Sequence, residues 1–212
     1  MKSDEQRGII IGITGGIACG KTTVSDLLAE KGAIPINADE IGHQLLKSDS
    51  PILNQLTETF GPDILDDSGD VSRKKLGAIV FSDKAALEKL NSLMHPLIIE
   101  RSRSQARELV AEDPSCVVLL DAPLLIEAGA YDSVDLIIVV TSSRDLQIRR
   151  ILERSHSQKR PLTESEAQAR IDSQMPVSEK VKYADIVIEN NGTHEDLQSQ
   201  IDHLWNDFID KD

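Results

Sequence analysis

Eight consecutive residues, Gly15-Gly16-Ile17-Ala18-Cys19-Gly20-Lys21-Thr22, carry the most specific chemical pattern in the chain. They match G-x-x-x-x-G-K-[ST], a phosphate-binding loop. Glycines let several backbone amides converge on phosphate oxygens. A helix that follows adds the partial positive charge of its N-terminus. Lys21 is then placed to reach the β- and γ-phosphates, and the Thr22 hydroxyl to ligate Mg²⁺. The motif needs a buried strand before it and a helix after it. Both are expected here: Gly8 to Thr14 reads as a strand, and Lys21 to Lys31 as a helix.

Other residues suit the rest of a phosphoryl transfer. Asp39 follows a short second strand and is expected at the carboxyl edge of the sheet, near the loop. A carboxylate there can align a hydroxyl and accept its proton, or it can cap the next helix. Asp121 directly follows the third strand, where a carboxylate serves a Mg²⁺ shell or a strand-end turn. Between Arg149 and Arg170 lie Arg149, Arg150, Arg154, Lys159, Arg160 and Arg170 against Glu153, Glu164 and Glu166. Asp145–Arg149, Glu166–Arg170 and Arg150–Glu153 are spaced as helix ion pairs. Arg154 has no acid at i±3 or i±4, so Arg150 and Arg154 together invite an anion. His95 precedes Pro96 and reads as a helix-start residue. Arg73 alone reads as a surface residue. Cys19 sits inside the loop, where a thiol can be activated; it reads as a small side chain without a catalytic role.

The elements that position these residues alternate. Ala33 to Ile36, Cys116 to Leu120, Leu136 to Val140 and Ala184 to Ile188 read as further strands. Helices are expected over much of 41–112, from Asp145 to Arg154, and from His194 to Ile209. Strands apolar on both faces and separated by helices predict an α/β fold, a parallel sheet covered on both sides. Pro35 cannot donate to a ladder and places the second strand at an edge. The core is expected over about 8–41 and 115–212, with a helical insertion over about 42–114 and a lid over about 150–175.

Composition narrows the function classes. The chain has 212 residues, a net charge of −13 and only 3% aromatic residues. That balance argues against a nucleic-acid partner, and an anion site must be built locally against the overall field. No run of 18 apolar residues exists, so no membrane span is expected. Met1 to Arg7 lacks the apolar stretch of a secretory signal, and two cysteines suit free thiols in a reducing cytoplasm. A GTP-dependent switch would carry N-K-x-D after a late strand, but Thr141-Ser142-Ser143-Arg144-Asp145 lacks the Asn-Lys pair. A small-molecule kinase, for a nucleoside, a nucleotide or another alcohol, and an ATPase switch acting on a protein partner both stay open on these residues.

Taken together, the motifs resemble the dephospho-CoA kinase family over nearly the whole chain. The resemblance rests on Ile13-Thr14-Gly15-Gly16-Ile17, Ala38-Asp39, Arg73 with Leu76, Val80-Phe81 and His95-Pro96-Leu97. It continues through Asp121-Ala122-Pro123-Leu124-Leu125-Ile126-Glu127, then Arg150, Arg154, Arg170, Gln174, and Ala184 to Gly192. It implies ATP-dependent phosphorylation of the 3′-hydroxyl of dephospho-CoA, on a five-stranded parallel core with a helical acceptor-binding insertion and a lid. By that likeness the catalytic residues are Asp39, Lys21 and Arg150. ATP meets Gly15, Gly16, Ala18, Cys19, Gly20, Lys21, Thr22, Thr23, Arg150, Arg154 and Asn190, with Asn190 bordering the adenine. The acceptor meets Asp39, Arg73, His95, Pro123, Leu124 and Glu127, and Mg²⁺ meets Thr22 with Asp121 as a further candidate. Three features depart from the family pattern: Ala18-Cys19 in place of Gly-Ser, Asn37 where Asp is common, and a longer, polar stretch from Ser155 to Pro161.

Overall fold

The computed structural model describes residues 8–158 and 161–209. Met1 to Arg7, Lys159 and Arg160 of the basic stretch, and the last three residues lie outside them. Five strands form one parallel sheet in the order β2-β3-β1-β4-β5. They are β1 (Ile9–Gly15), β2 (Ile34–Asn37), β3 (Val117–Asp121), β4 (Leu136–Thr141) and β5 (Ile186–Glu189). Register runs from Ile9 opposite Val117 to Ile13 opposite Asp121, and from Ile11 opposite Leu136 to Gly15 opposite Val140. The helices are α1 (Lys21–Glu30), α2 (Ala38–Gln44), α3 (Leu53–Phe60), α4 (Arg73–Val80) and α5 (Lys84–Glu112), then α6 (Arg144–Ser157), α7 (Glu164–Asp172), α8 (Val177–Lys180) and α9 (His194–Leu204).

β1 is central because it is apolar on both faces. Ile11 and Ile13 pack with Val24, Leu27 and Leu28 of α1 and with Leu197, Ile201 and Leu204 of α9. On the opposite face Gly12 leaves room for Leu125 and Val134; a Cβ there would lie 2.7 Å from Leu125 Cδ2. β2 is an edge strand, as Pro35 requires. At the other edge Gln200 of α9 takes both backbone groups of Glu189, accepting from its N–H at 3.3 Å and donating to its carbonyl at 3.0 Å. Gly15, Asp121 and Thr141 end their strands at the carboxyl edge, where ligands bind in open α/β sheets.

The chain divides into two compact units, 1–36 with 106–212, and 37–105. The second buries Ile41, Leu45, Leu56, Ile64, Leu76 and Met94. Three local expectations need correction here and at the C-terminus. Asp39 is not a cap: the Asn37 side chain caps α2, accepting from the amides of Asp39 (2.9 Å) and Glu40 (3.2 Å). An amide oxygen serves as well as a carboxylate for this, which gives Asn37 its own reason to stand there. His95-Pro96 does not start a helix but lies inside the 29-residue α5. Good helix formers such as Ala85, Ala86, Leu87 and Leu90 precede the proline, and the helix absorbs one lost hydrogen bond. The last helix is regular only to Leu204 and widens into a π turn over Trp205–Ile209. Among the described residues no helix is long and apolar enough to cross a membrane.

The tight fit at Gly12 is measurable. Gly12→Val should force Leu125 and Val134 aside and cost about 1–3 kcal/mol, read as a lower urea midpoint with an unchanged slope.

Candidate active site

The loop between β1 and α1 is held from outside through its carbonyls. Gly16 O accepts from Cys19 N–H at 3.2 Å within the loop. Ile17 O accepts from Gln147 Nε2 at 2.7 Å, Ala18 O from Arg150 Nη1 at 3.2 Å, and Cys19 O from Asn190 Nδ2 at 2.9 Å. Four successive carbonyls are thereby engaged. Gly20 caps α1 with φ 90° and no side-chain cap, so the first-turn amides of α1 lack intrahelical partners. A Cβ on Gly20 would collide with the Asn190 amide. Ala18 also has a positive φ, 60°. For an alanine this costs about 1–2 kcal/mol that a glycine would not incur, so the Ala18 departure is a strained one.

Lys21 and Asp121 meet at the floor of the loop. The Lys21 ammonium pairs with Asp121 Oδ1, and Ser25 Oγ donates to Asp121 Oδ2 at 2.9 Å. Asp121 is buried, so β3 holds its carboxyl group in a fixed place beside the lysine. Thr22 is exposed at the helix start. A hydroxyl and one carboxylate suit Mg²⁺, which keeps most of its water and takes few protein ligands. Among the described residues no group of three or more His, Cys, Asp or Glu is placed to hold a metal ion.

The basic stretch splits into two roles. Arg150 is tied down: besides Ala18 O it donates to Ser142 Oγ at 3.2 Å, and to Asn190 O at 3.1 Å and Oδ1 at 3.4 Å. Its expected pairing with Glu153 is absent, because Glu153 instead faces Arg149 at 3.9 Å. Asp145 is thus not the partner of Arg149. Glu166 is drawn into a capping box with Thr163, whose hydrogen bonds hold its carboxyl below the usual range, with a smaller share from the Arg170 charge. Arg154 and Arg170 both line a cavity of about 370 Å³ with Ile17, Ala18, Ile151, Ser155, Gln158 and Leu162. Neither guanidinium has a hydrogen-bond or ion-pair partner among the described residues. Arg144 grips Asp172 with two bonds of 2.8 and 2.9 Å, joining the start of α6 to the end of α7.

In the second unit Asp39, His43 and Arg73 line one cavity of about 400 Å³, walled by Met94 and Ile98 of α5. Asp39 and His43 share a face of α2 at i,i+4. His95 is half-buried in α5 between those two wall residues.

Comparison with known proteins decides between the readings left open. The family model described as dephospho-CoA kinase matches residues 9–196. The chain belongs to the dephospho-CoA kinase family. It is 42% identical to the dephospho-CoA kinase of Geobacillus kaustophilus, over 91% of this chain and 93% of that one. Identity to the dephospho-CoA kinase of Synechocystis is also 42%, over 97% and 98%. The solved dephospho-CoA kinase from Campylobacter jejuni superposes with a TM-score of 0.70 at 30% identity, covering 94% and 96% of the two chains.

For a dephospho-CoA kinase family member, several residues near the nucleotide loop escape motif reading. Gln147 of α6 and Ser142, just past β4, act on the loop from more than a hundred positions away in sequence. His43 could have been found by its spacing from Asp39. Among the acceptor residues suggested by the resemblance, Pro123 offers its carbonyl to Thr14 Oγ1 at 3.0 Å and to Lys180 Nζ at 2.8 Å, and Glu127 pairs with Lys180 at 2.8 Å. Leu124 is half-buried in the same turn.

Cys19 is buried, and that burial pushes its thiol above the ordinary range, partly offset by backbone hydrogen bonds at Gly16 and Ser142. The thiolate is therefore a minor species near neutrality. Alkylation by iodoacetamide at pH 8 should run more than about tenfold slower than for a free cysteine. It should rise with pH and become fast on unfolding in denaturant; rapid native labelling of Cys19 would contradict the burial.

Proposed function

We propose that the chain transfers the γ-phosphoryl group of ATP to the 3′-hydroxyl of dephospho-CoA, giving CoA and ADP in the last step of coenzyme A synthesis. The observation that carries this reading is the braced loop of a dephospho-CoA kinase family chain: its carbonyls are held away, and apart from the Cys19 amide, which bonds Gly16 O, its amides are left for phosphate oxygens. Lys21 exchanges part of its contact with Asp121 for the transferring phosphoryl oxygens, whose charge it neutralises. Mg²⁺ would be held by Thr22 and Asp121, and supplies further neutralisation of the β- and γ-phosphates when bound. Arg154 and Arg170, lining the cavity beside Ile17 and Ala18, receive nucleotide phosphates and exclude water there. Arg150 sets the loop and Asn190 holds Arg150 and Cys19 O, so both act on ATP through the loop as well as at its border. Gly15, Gly16 and Thr23 complete the nucleotide contacts.

Asp39 is the carboxylate assigned to align the acceptor hydroxyl and take its proton late in the transfer. Arg73 and His95, with Pro123 and Leu124, are the acceptor contacts carried over from the family resemblance, whereas Glu127, expected among them, faces the buried Lys180. We place the reaction in the cytoplasm, where the two free thiols, Cys19 and Cys116, stay reduced.

The direct test incubates purified protein with Mg-ATP and dephospho-CoA and looks by mass for a product heavier by one phosphate. Product from nucleosides instead, or ADP release with no phosphorylated acceptor, would replace this reading by one of its rivals. Lys21→Ala should lower kcat by on the order of 10²-fold or more in a folded protein.

The cap at Asn37 makes Asp39 separable from helix stability. Asp39→Asn should drop kcat by about 10²–10⁴-fold with an unchanged melting temperature. Asn37→Ala should show the reverse emphasis, costing about 1 kcal/mol in stability through the lost cap. Full turnover by Asp39→Asn would move the base elsewhere.

A further inference from the structure

Among the described residues Lys180 is the largest wholly buried side chain, at 0% exposure. It ends the short helix α8, in a polar stretch, Ser178-Glu179-Lys180-Val181-Lys182, that gives little warning of burial. Its ammonium lies 2.8 Å from Glu127 Oε1 and donates to Pro123 O at 2.8 Å. Both Glu127 oxygens are buried with no hydrogen-bond partner among the described residues, so Oε1 meets the ammonium as an ion-pair contact only. Lysine is almost never fully buried unless paired, and either charge alone would be strongly destabilising in such a place.

The pair is bonded into the phosphate site. Pro123 O also accepts from Thr14 Oγ1 at 3.0 Å, and Thr14 immediately precedes Gly15. Pro123 follows Asp121 by two residues, and Asp121 holds Lys21 and Ser25. One carbonyl therefore ties together the entry to the loop, the strand end that carries Asp121, and the segment after α7. Val177, on the same short helix as Lys180, stands against the loop itself: a Cβ on Gly16 would lie 2.7 Å from Val177 Cγ2.

We propose that Lys180 and Glu127 form a positioning pair that holds the Asp121-Ala122-Pro123 peptides, and through them the carboxylate that sets Lys21, without touching either substrate. The proposal rests on the phosphoryl-transfer reading and moves Glu127 from acceptor contact to scaffold of the catalytic floor. Two hydrophobic side chains of similar volume could fill the same space. They could not donate to Pro123 O, and that bond is what the charge supplies beyond packing.

This difference gives the test. Glu127→Leu/Lys180→Met removes both charges and leaves neither orphaned, so stability should stay close to the parent's. Turnover should nevertheless fall about 10- to 100-fold, the scale of a small misplacement of reacting groups. The KM values for ATP and dephospho-CoA should stay within about threefold. The single Lys180→Met should be less stable than the double variant, a coupling that a double-mutant cycle reads directly.

A double variant with parental stability and parental kcat would overturn the proposal. If the double variant does not fold, Glu127→Gln decides. Lower kcat at unchanged KM supports positioning, whereas raised KM for dephospho-CoA at unchanged kcat makes Glu127 an acceptor contact and defeats the pair. Parent turnover of dephospho-CoA is measured alongside. If the parent itself fails to phosphorylate it, the functional reading fails. The pair is then judged by hydrogen exchange in 121–127, which should quicken in the double variant at equal global stability; unchanged exchange rejects it.

Discussion

The peptide units between Gly15 and Lys21 must send their carbonyls one way and their amides the other. A backbone in water has no reason to do this, because each carbonyl is as well solvated on either side. Here Gln147, Arg150 and Asn190 supply donors on one side only. Those three side chains come from α6 and from the end of β5, so the loop conformation depends on the sheet being assembled in its order β4 beside β1 and β5 beside β4. The positive φ of Ala18 and Gly20 is the conformational expense of the turn, and the donors are what make it the stable one. The same frame brings Val140 O to the back of Gly15, where a Cβ would lie 2.6 Å away.

Electrostatics follow from that frame. A chain of charge −13 repels a polyphosphate at long range. Attraction has to be short-ranged and held in place, which is how Lys21, Arg150, Arg154 and Arg170 are arranged. Lys21 rests against Asp121, and Arg150 against Ala18 O, Ser142 and Asn190, so two cations are pre-positioned by protein partners. Arg154 and Arg170 line the cavity without such partners among the described residues. Fixed dipoles and charges need little reorganisation when a phosphate arrives, and mobile ones adapt to it.

The fold was largely legible because its signals are local. Apolar runs such as Ile9 to Ile13 and Leu136 to Val140, each followed by a helical pattern, name a covered parallel sheet, and Pro35 names an edge. The loop was legible for the same reason, being eight residues long with its strand and helix attached. Pairings decided by tertiary competition were not. Glu153 was expected to meet Arg150 and Glu166 to meet Arg170, but the geometry of α6 sets Glu153 against Arg149 and the capping box bonds Glu166 to Thr163. Asn37 could have been read as a cap from its place just before Ala38, but the aspartate two positions later drew the argument. Lys180 left only a faint trace, a lysine between Val177 and Val181 on an apolar spacing.

The two edges of the sheet are closed by different means. At β2 Pro35 lacks the N–H that a neighbouring strand would need. At β5 the Gln200 side chain occupies both backbone groups of Glu189, mimicking the next strand with a single amide. An all-parallel sheet of five strands would otherwise offer two templates for recruiting extended segments from other molecules. Val187 is 40% exposed along β5, the kind of apolar edge residue that makes such recruitment self-propagating. With one edge short of a donor and the other already engaged at its end, crowding should leave backbone pairing between copies disfavoured.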